Sequence, residues 1–316
     1  MSNDIGGVWR TVGGRRIFIK DGQDLAQAMK ESGKFINSAI KGDSYKRKES
    51  SDSKENTRDL EIIKSKLQEN GVIFDDGFPK RINKEYVSKQ LNALNDIIEN
   101  DDKIKSIIKQ HPLTIKEDIY TLNAAYYSHM PDGFEGHSLN FGVFKNKEDI
   151  NEINSNINHY REKGQWISKE MSNISNDEYV IYHEMGHLKE KIMVENYYKE
   201  NPSFKEKYYK KIEKAKTQEE FDTYYHNMYK DALYHIEQET LLPIQEKNGT
   251  IKASNGRNGT SSYGQYGLKE IGTYGNSLSS YELISEGNVI YSNPTIKGKN
   301  SYIYKDISEL FERWYK

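Results

Sequence analysis

The run Tyr179-Val180-Ile181-Tyr182-His183-Glu184-Met185-Gly186-His187-Leu188 decides how this chain is read. His183 and His187 are four residues apart. On an α-helix that spacing puts both imidazoles on one face, one turn apart, where they can hold a single ion. Glu184 projects toward the same place and can take a proton from a water at the ion. With 8 His and 48 acidic residues in 316 positions, chance yields the pattern H-E-x-x-H on the order of 0.01–0.02 times. The competing reading is a surface helix carrying two solvated histidines.

The flanks argue against that alternative. Tyr179 to Tyr182 is an apolar run that suits a helix entering a core. Asn176 and Asp177 are candidate N-caps, and Glu178 fits the first turn. Leu188, Ile192 and Met193 continue an apolar stripe at helical spacing. The pattern predicts a helix over about 177–198. Gly186 inside it costs about 1 kcal/mol; close approach of another backbone, or of the site wall, would account for it.

Composition bounds the chemistry. The chain has no Cys, so disulfides and thiolate metal sites are excluded, and any metal must be held by His and carboxylate. Net charge is −2, which leaves no nucleic-acid footprint. Hydrophobic residues make up 35% and charged residues 30%, so a modest core carries much solvated surface. The first 30 residues lack an apolar stretch of the signal-peptide kind, and no window approaches a membrane span. The expectation is a soluble protein made in the cytosol without a Sec-type signal. The Lys/Ile/Asn/Tyr bias points to an AT-rich bacterial genome or its phage.

The expected fold class is α+β: a mostly helical domain with a small antiparallel or mixed sheet, preceded by a hairpin module. Residues 1–41 form the N-terminal module, with strands flanking Gly13-Gly14 and a short helix from Leu25 to Glu31. Residues 42–59 read as a disordered linker. Residues 60–316 form the main domain. Helices are predicted at 60–69 and 83–109, with Asp101-Asp102 breaking the second. Strands are predicted at Ile119–Leu122, Ala124–Tyr127 and Ser138–Phe144, and partial helix at 146–172. Helices near 203–215 and 217–240 form an insertion at about 200–245. Residues 247–280 read as loop. Short helices follow near 279–290 and at Asp306–Tyr315.

A catalytic zinc takes three protein ligands and keeps one position open, so a third ligand is needed. Leu188-Lys189-Glu190 follows the motif, which excludes the variant with a third His after a Gly. Glu282 and Glu286 lie four apart on a predicted helix. One can bind the metal while the other accepts the ring N–H of a ligand His. Glu190, Glu195, Asp231, Glu237 and Glu239 are rivals. His226 and His235 read as solvated or core residues.

H-E-x-x-H followed by E-x-x-x-[DE] resembles the gluzincin zinc peptidases. The resemblance implies a zincin-like domain with Zn²⁺ held by His183, His187 and Glu282, and Glu286 as the acid behind a ligand histidine. The segment Gly272-Thr273-Tyr274-Gly275 through Tyr281-Glu282-Leu283-Ile284-Ser285-Glu286 is similar to HExGH peptidases of phages and prophages, and to lethal-factor-type toxin peptidases. There a Tyr polarises the scissile carbonyl or stabilises the oxyanion, which implies Tyr274, or else Tyr281. Gly136–Phe144 resembles the substrate-binding edge strand of zincins; a plain core strand is the alternative. Residues 1–35 resemble a module of phage and prophage proteins, including minor head proteins, and imply a docking tag.

The function these readings imply is zinc-dependent endopeptidase, a hydrolase of phage or prophage origin. Glu184 would be the base and a protein or peptide the substrate, with virion proteins as partners of residues 1–35. The alternatives are a minor head protein with a vestigial peptidase domain, or a delivered toxin protease. Neither nucleic acid nor membrane is an expected partner.

Overall fold

A computed structural model describes residues 7–12, 15–20, 51–121, 123–163, 166–248 and 282–316. The chain divides into two compact units, Met1–Lys54 and Glu55–Lys316. In the first, β1 (Gly7–Val12) and β2 (Arg15–Lys20) pair antiparallel, from Gly7 opposite Lys20 to Val12 opposite Arg15. This is the hairpin expected from the β-prone runs that flank Gly13-Gly14. The expected helix Leu25–Glu31 lies outside the described residues.

Helix α1 (Ser51–Glu69) starts earlier than expected. Residues 51–59, read as the end of a disordered linker, are helical. That stretch lacks apolar residues but holds Lys54, Glu55 and Arg58, which favour helix. Leu60, Ile63 and Leu67 are buried and anchor the helix that carries it.

The second unit is mostly helical and has one four-stranded mixed sheet. Its class is α+β. The strands are β3 (Ile73–Phe74), β4 (Thr114–Asp118), β5 (Ala125–Ser128) and β6 (Ser138–Gly142). Their order is β3-β4-β6-β5, with β5 alone antiparallel. α2 (Lys84–Asn100) and α3 (Asp102–Gln110) form the crossover from β3 to β4, as a parallel pair requires. They break at Asp101, whose side chain caps α3.

Two strand expectations are corrected. Ile119 to Leu122 was expected as a strand, but β4 ends at Asp118. Ile119 and Tyr120 are solvent-exposed, so no second sheet face exists there to hold them. The segment around Ser138–Phe144 resembled an edge strand; instead β6 lies between β4 and β5, and all five of its residues are buried. A strand covered on both faces is an interior strand. β5 is an edge strand.

α4 (Lys147–Glu162) leads to α5 (Asn176–Glu200), the 25-residue central helix. α5 begins one residue before the predicted start and its N-cap is Ser175, not Asn176 or Asp177. Ser175 and Glu178 form a reciprocal capping box. α5 packs against α2, β5 and later helices. It is buried on several faces, including Lys189, Glu190 and Lys191. Lys189 pairs with Asp101 at 3.1 Å and Lys191 with Glu195 at 2.6 Å, so both ammonium groups are neutralised where they are buried.

α6 (Pro202–Ile212) and α7 (Gln218–Ile236) follow, and a π-helical turn (Glu237–Leu241) joins α7 to α8 (Leu242–Asn248). Residues 249–281 lie outside the described residues. α9 (Glu282–Ser292), α10 (Ile296–Lys299) and α11 (Tyr302–Trp314) complete the chain. α11 starts four residues before the predicted helix because Ser301 caps it. Among the described residues, no helix is long and apolar enough to cross a membrane.

Candidate metal centre

α5 and α9 cross at a glycine. A Cβ on Gly186 would lie 2.5 Å from the Ser285 Cα, closer than packed atoms allow. Only glycine lets the two backbones meet, which accounts for a helix-weakening residue at this position. Asn288 of α9 fastens the crossing by donating to the Tyr182 carbonyl at 2.6 Å. The result is that Glu282, 95 positions after His187 in sequence, faces both histidines.

One donor atom from each of His183, His187 and Glu282 lies within 4.8 Å of the others. Glu282 Oε2 is 3.2 Å from His183 Nε2 and 3.8 Å from His187 Nε2. All three side chains are less than a fifth exposed. This is a group that can hold a metal ion: two imidazoles and one carboxylate, converging through the nitrogens that leave Nδ1 on the far side.

The far sides are occupied by carboxylates. His183 Nδ1 is 3.0 Å from Glu286 Oε1. Glu286 is fully buried and also accepts from the Tyr179 hydroxyl and the Ile167 N–H. Tyr179 stacks on His183 and on Trp166, and Arg161 lies 4.8 Å over its ring. Arg161 is itself buried and donates to the carbonyls of Ile167, Ser172 and Ile174. On the other side, His187 Nδ1 is 3.9 Å from Glu190 Oε2. Burial works against the charge of both imidazoles. Even so, Glu282 and Glu286 raise the pKa of His183, and Glu190 raises that of His187.

Glu184 is 8% exposed and lies in the same pocket. Burial pushes its carboxyl above the usual range, opposed by the two histidines and by the Tyr127 N–H, which donates at 2.7 Å. A carboxylate with a raised pKa beside a metal-binding group is suited to accept and return a proton. The bond to Tyr127 also ties Glu184 to β5, an edge strand of the sheet. The pocket holds about 240 Å³ and is lined by Tyr126, His129 and Glu190 besides the metal group and Glu184. The Tyr126 hydroxyl donates to Asp118 at 2.7 Å, and burial pushes its pKa up to about 12.

His183, Glu184, His187, Glu282 and Glu286, all designated from sequence, come together. Tyr274 and Tyr281 lie outside the described residues. Among the rival ligands, Glu190 stands behind His187, outside the metal group. Glu195 binds Lys191 and the Gly133 N–H, Asp231 accepts from Tyr208, and Glu239 pairs with His235 on the surface. Sequence reasoning missed Tyr179, Tyr229, His129 and the Tyr127 N–H. Tyr179 had a signal, since it stands one helical turn before His183. The others had none, because they reach the site from distant segments.

Comparison with protein-family models, curated proteins and solved structures found no match to the chain.

Proposed function

We propose that the chain is a zinc-dependent endopeptidase with a zincin-like domain and a gluzincin-type ligand set. The reading rests on one observation: the metal-binding group His183, His187 and Glu282 shares its pocket with Glu184 and borders the sheet edge β5. The donor set fits zinc, which accepts imidazole and carboxylate and is accommodated without thiolate. When bound, the ion would polarise the scissile carbonyl and acidify water at the site.

The chain's own residues supply the rest. Glu184 takes a proton from the attacking water and delivers it to the leaving amine. Glu286 fixes the His183 ring. An extended peptide adds along β5, whose outer side carries the Tyr127 N–H held by Glu184. Tyr274, or Tyr281, stabilises the developing oxyanion. Residues 1–35 dock the enzyme to other phage or prophage proteins.

The test is Glu184→Gln. Both wild type and variant should hold about one zinc per chain, while hydrolysis of a denatured protein substrate falls at least about 10²-fold in the variant. Full hydrolysis by the variant would overturn the mechanism. A wild-type protein that binds zinc but cleaves nothing would favour a vestigial domain.

A further inference from the structure

We propose that Tyr229 and Glu190 form a positioning pair that orients His187 toward the metal, which makes α7 part of the metal centre rather than an appended insertion. The inference rests on the zinc reading above.

Glu190 follows His187 on α5 and is 1% exposed. Its Oε1 accepts from the Tyr229 hydroxyl at 2.9 Å, and Tyr229 is 2% exposed. Its Oε2 lies 3.9 Å from His187 Nδ1 and makes no hydrogen bond to another residue among the described residues. A carboxylate this deep is costly unless its oxygens are used. A metal on Nε2 obliges His187 to carry its proton on Nδ1, and that N–H needs an acceptor. Glu190 Oε2 is the carboxylate on that side, and Tyr229 holds it in place. The Tyr229 ring is itself held by His129, with centroids 5.0 Å apart.

The same device occurs on the other histidine with the elements exchanged. There the carboxylate, Glu286, comes from α9 and the tyrosine, Tyr179, from α5. Two histidines, each backed by a carboxylate that a buried tyrosine hydroxyl fixes, argue for orientation of ligands and not for two coincidental core contacts.

The experiment measures zinc affinity by competition with a chromophoric chelator, and the unfolding of the metal-free protein, in wild type, Tyr229→Phe, Glu190→Gln and the double variant. Phe keeps the ring and its stacking and removes only the hydroxyl. Each single variant should weaken zinc binding about 10-fold or more. The double should be no weaker than Glu190→Gln, because the tyrosine acts through the carboxylate. Unchanged zinc affinity in Tyr229→Phe, or strictly additive losses, overturns the proposal and leaves the zinc site standing. A wild type that binds no zinc overturns both. If Glu190→Gln does not fold, Tyr229→Phe decides alone.

Discussion

The Gly186 and Ser285 backbones are in direct contact, and a Cβ on Gly186 would stand 2.5 Å from the Ser285 Cα and 3.0 Å from its carbonyl oxygen. This contact sets the distance between α5 and α9, and hence between the two histidines and Glu282. Alanine normally favours helix over glycine by about 1 kcal/mol. Here the added methyl meets backbone that cannot rotate away. Gly186→Ala should therefore lower stability by about 1–3 kcal/mol and weaken metal binding. Chemical unfolding with and without zinc measures both; a more stable variant would contradict the close crossing.

Glu282→Ala should lose stoichiometric metal, and Glu239→Ala should keep it, because among the described residues only Glu282 shares an ion-sized gap with both histidines. Metal content after dialysis gives the answer. Full occupancy in Glu282→Ala would move the third ligand elsewhere.

Glu286→Gln should weaken metal binding about 10- to 100-fold without removing a ligand. The amide cannot accept at both oxygens, yet the Tyr179 hydroxyl, the Ile167 N–H and the His183 ring all converge there. Tyr179→Phe should show a smaller loss in the same direction. Isothermal titration with zinc separates the two; equal affinity in wild type and Glu286→Gln would exclude the role.

His129 supplies a pH prediction. Burial depresses its pKa from 6.5 to about 4. The native state therefore holds the ring neutral while the unfolded chain protonates it. Its contribution to stability is complete above about pH 6.5 and is lost as pH falls toward 4. At most about 3 kcal/mol is involved. His129→Gln should flatten the acid side of the metal-free stability profile over that window. An unchanged profile would rule out a half-buried His129 held neutral in the native state.

Much of the site was legible because its logic is local. The spacing of His183 and His187 places both imidazoles on one helix face, with Glu184 next to them, whatever the rest of the chain does. The apolar stripe then predicts that the helix is buried, as it is. Glu282 and Glu286 were legible as a pair for the same reason. Asp101 as a break between helices followed from local capping chemistry. The strands were less legible. The resemblance placed β6 at an edge, but a five-residue strand carries no information about what pairs on either side, and sheet order is set by the crossover through α2 and α3.

Helical spacing alone therefore marked two imidazoles that can share an ion and the carboxylate next to them, and the absence of Cys excluded thiolate ligands. Tertiary structure decided which acids meet that pair: a glycine-sized crossing brings α9 onto α5, β5 becomes the edge beside Glu184, and α7 supplies Tyr229. Repeat spacing acts over one or two helical turns. A contact between residues 95 positions apart depends on how helices pack, and packing depends on shape complementarity spread over the whole core.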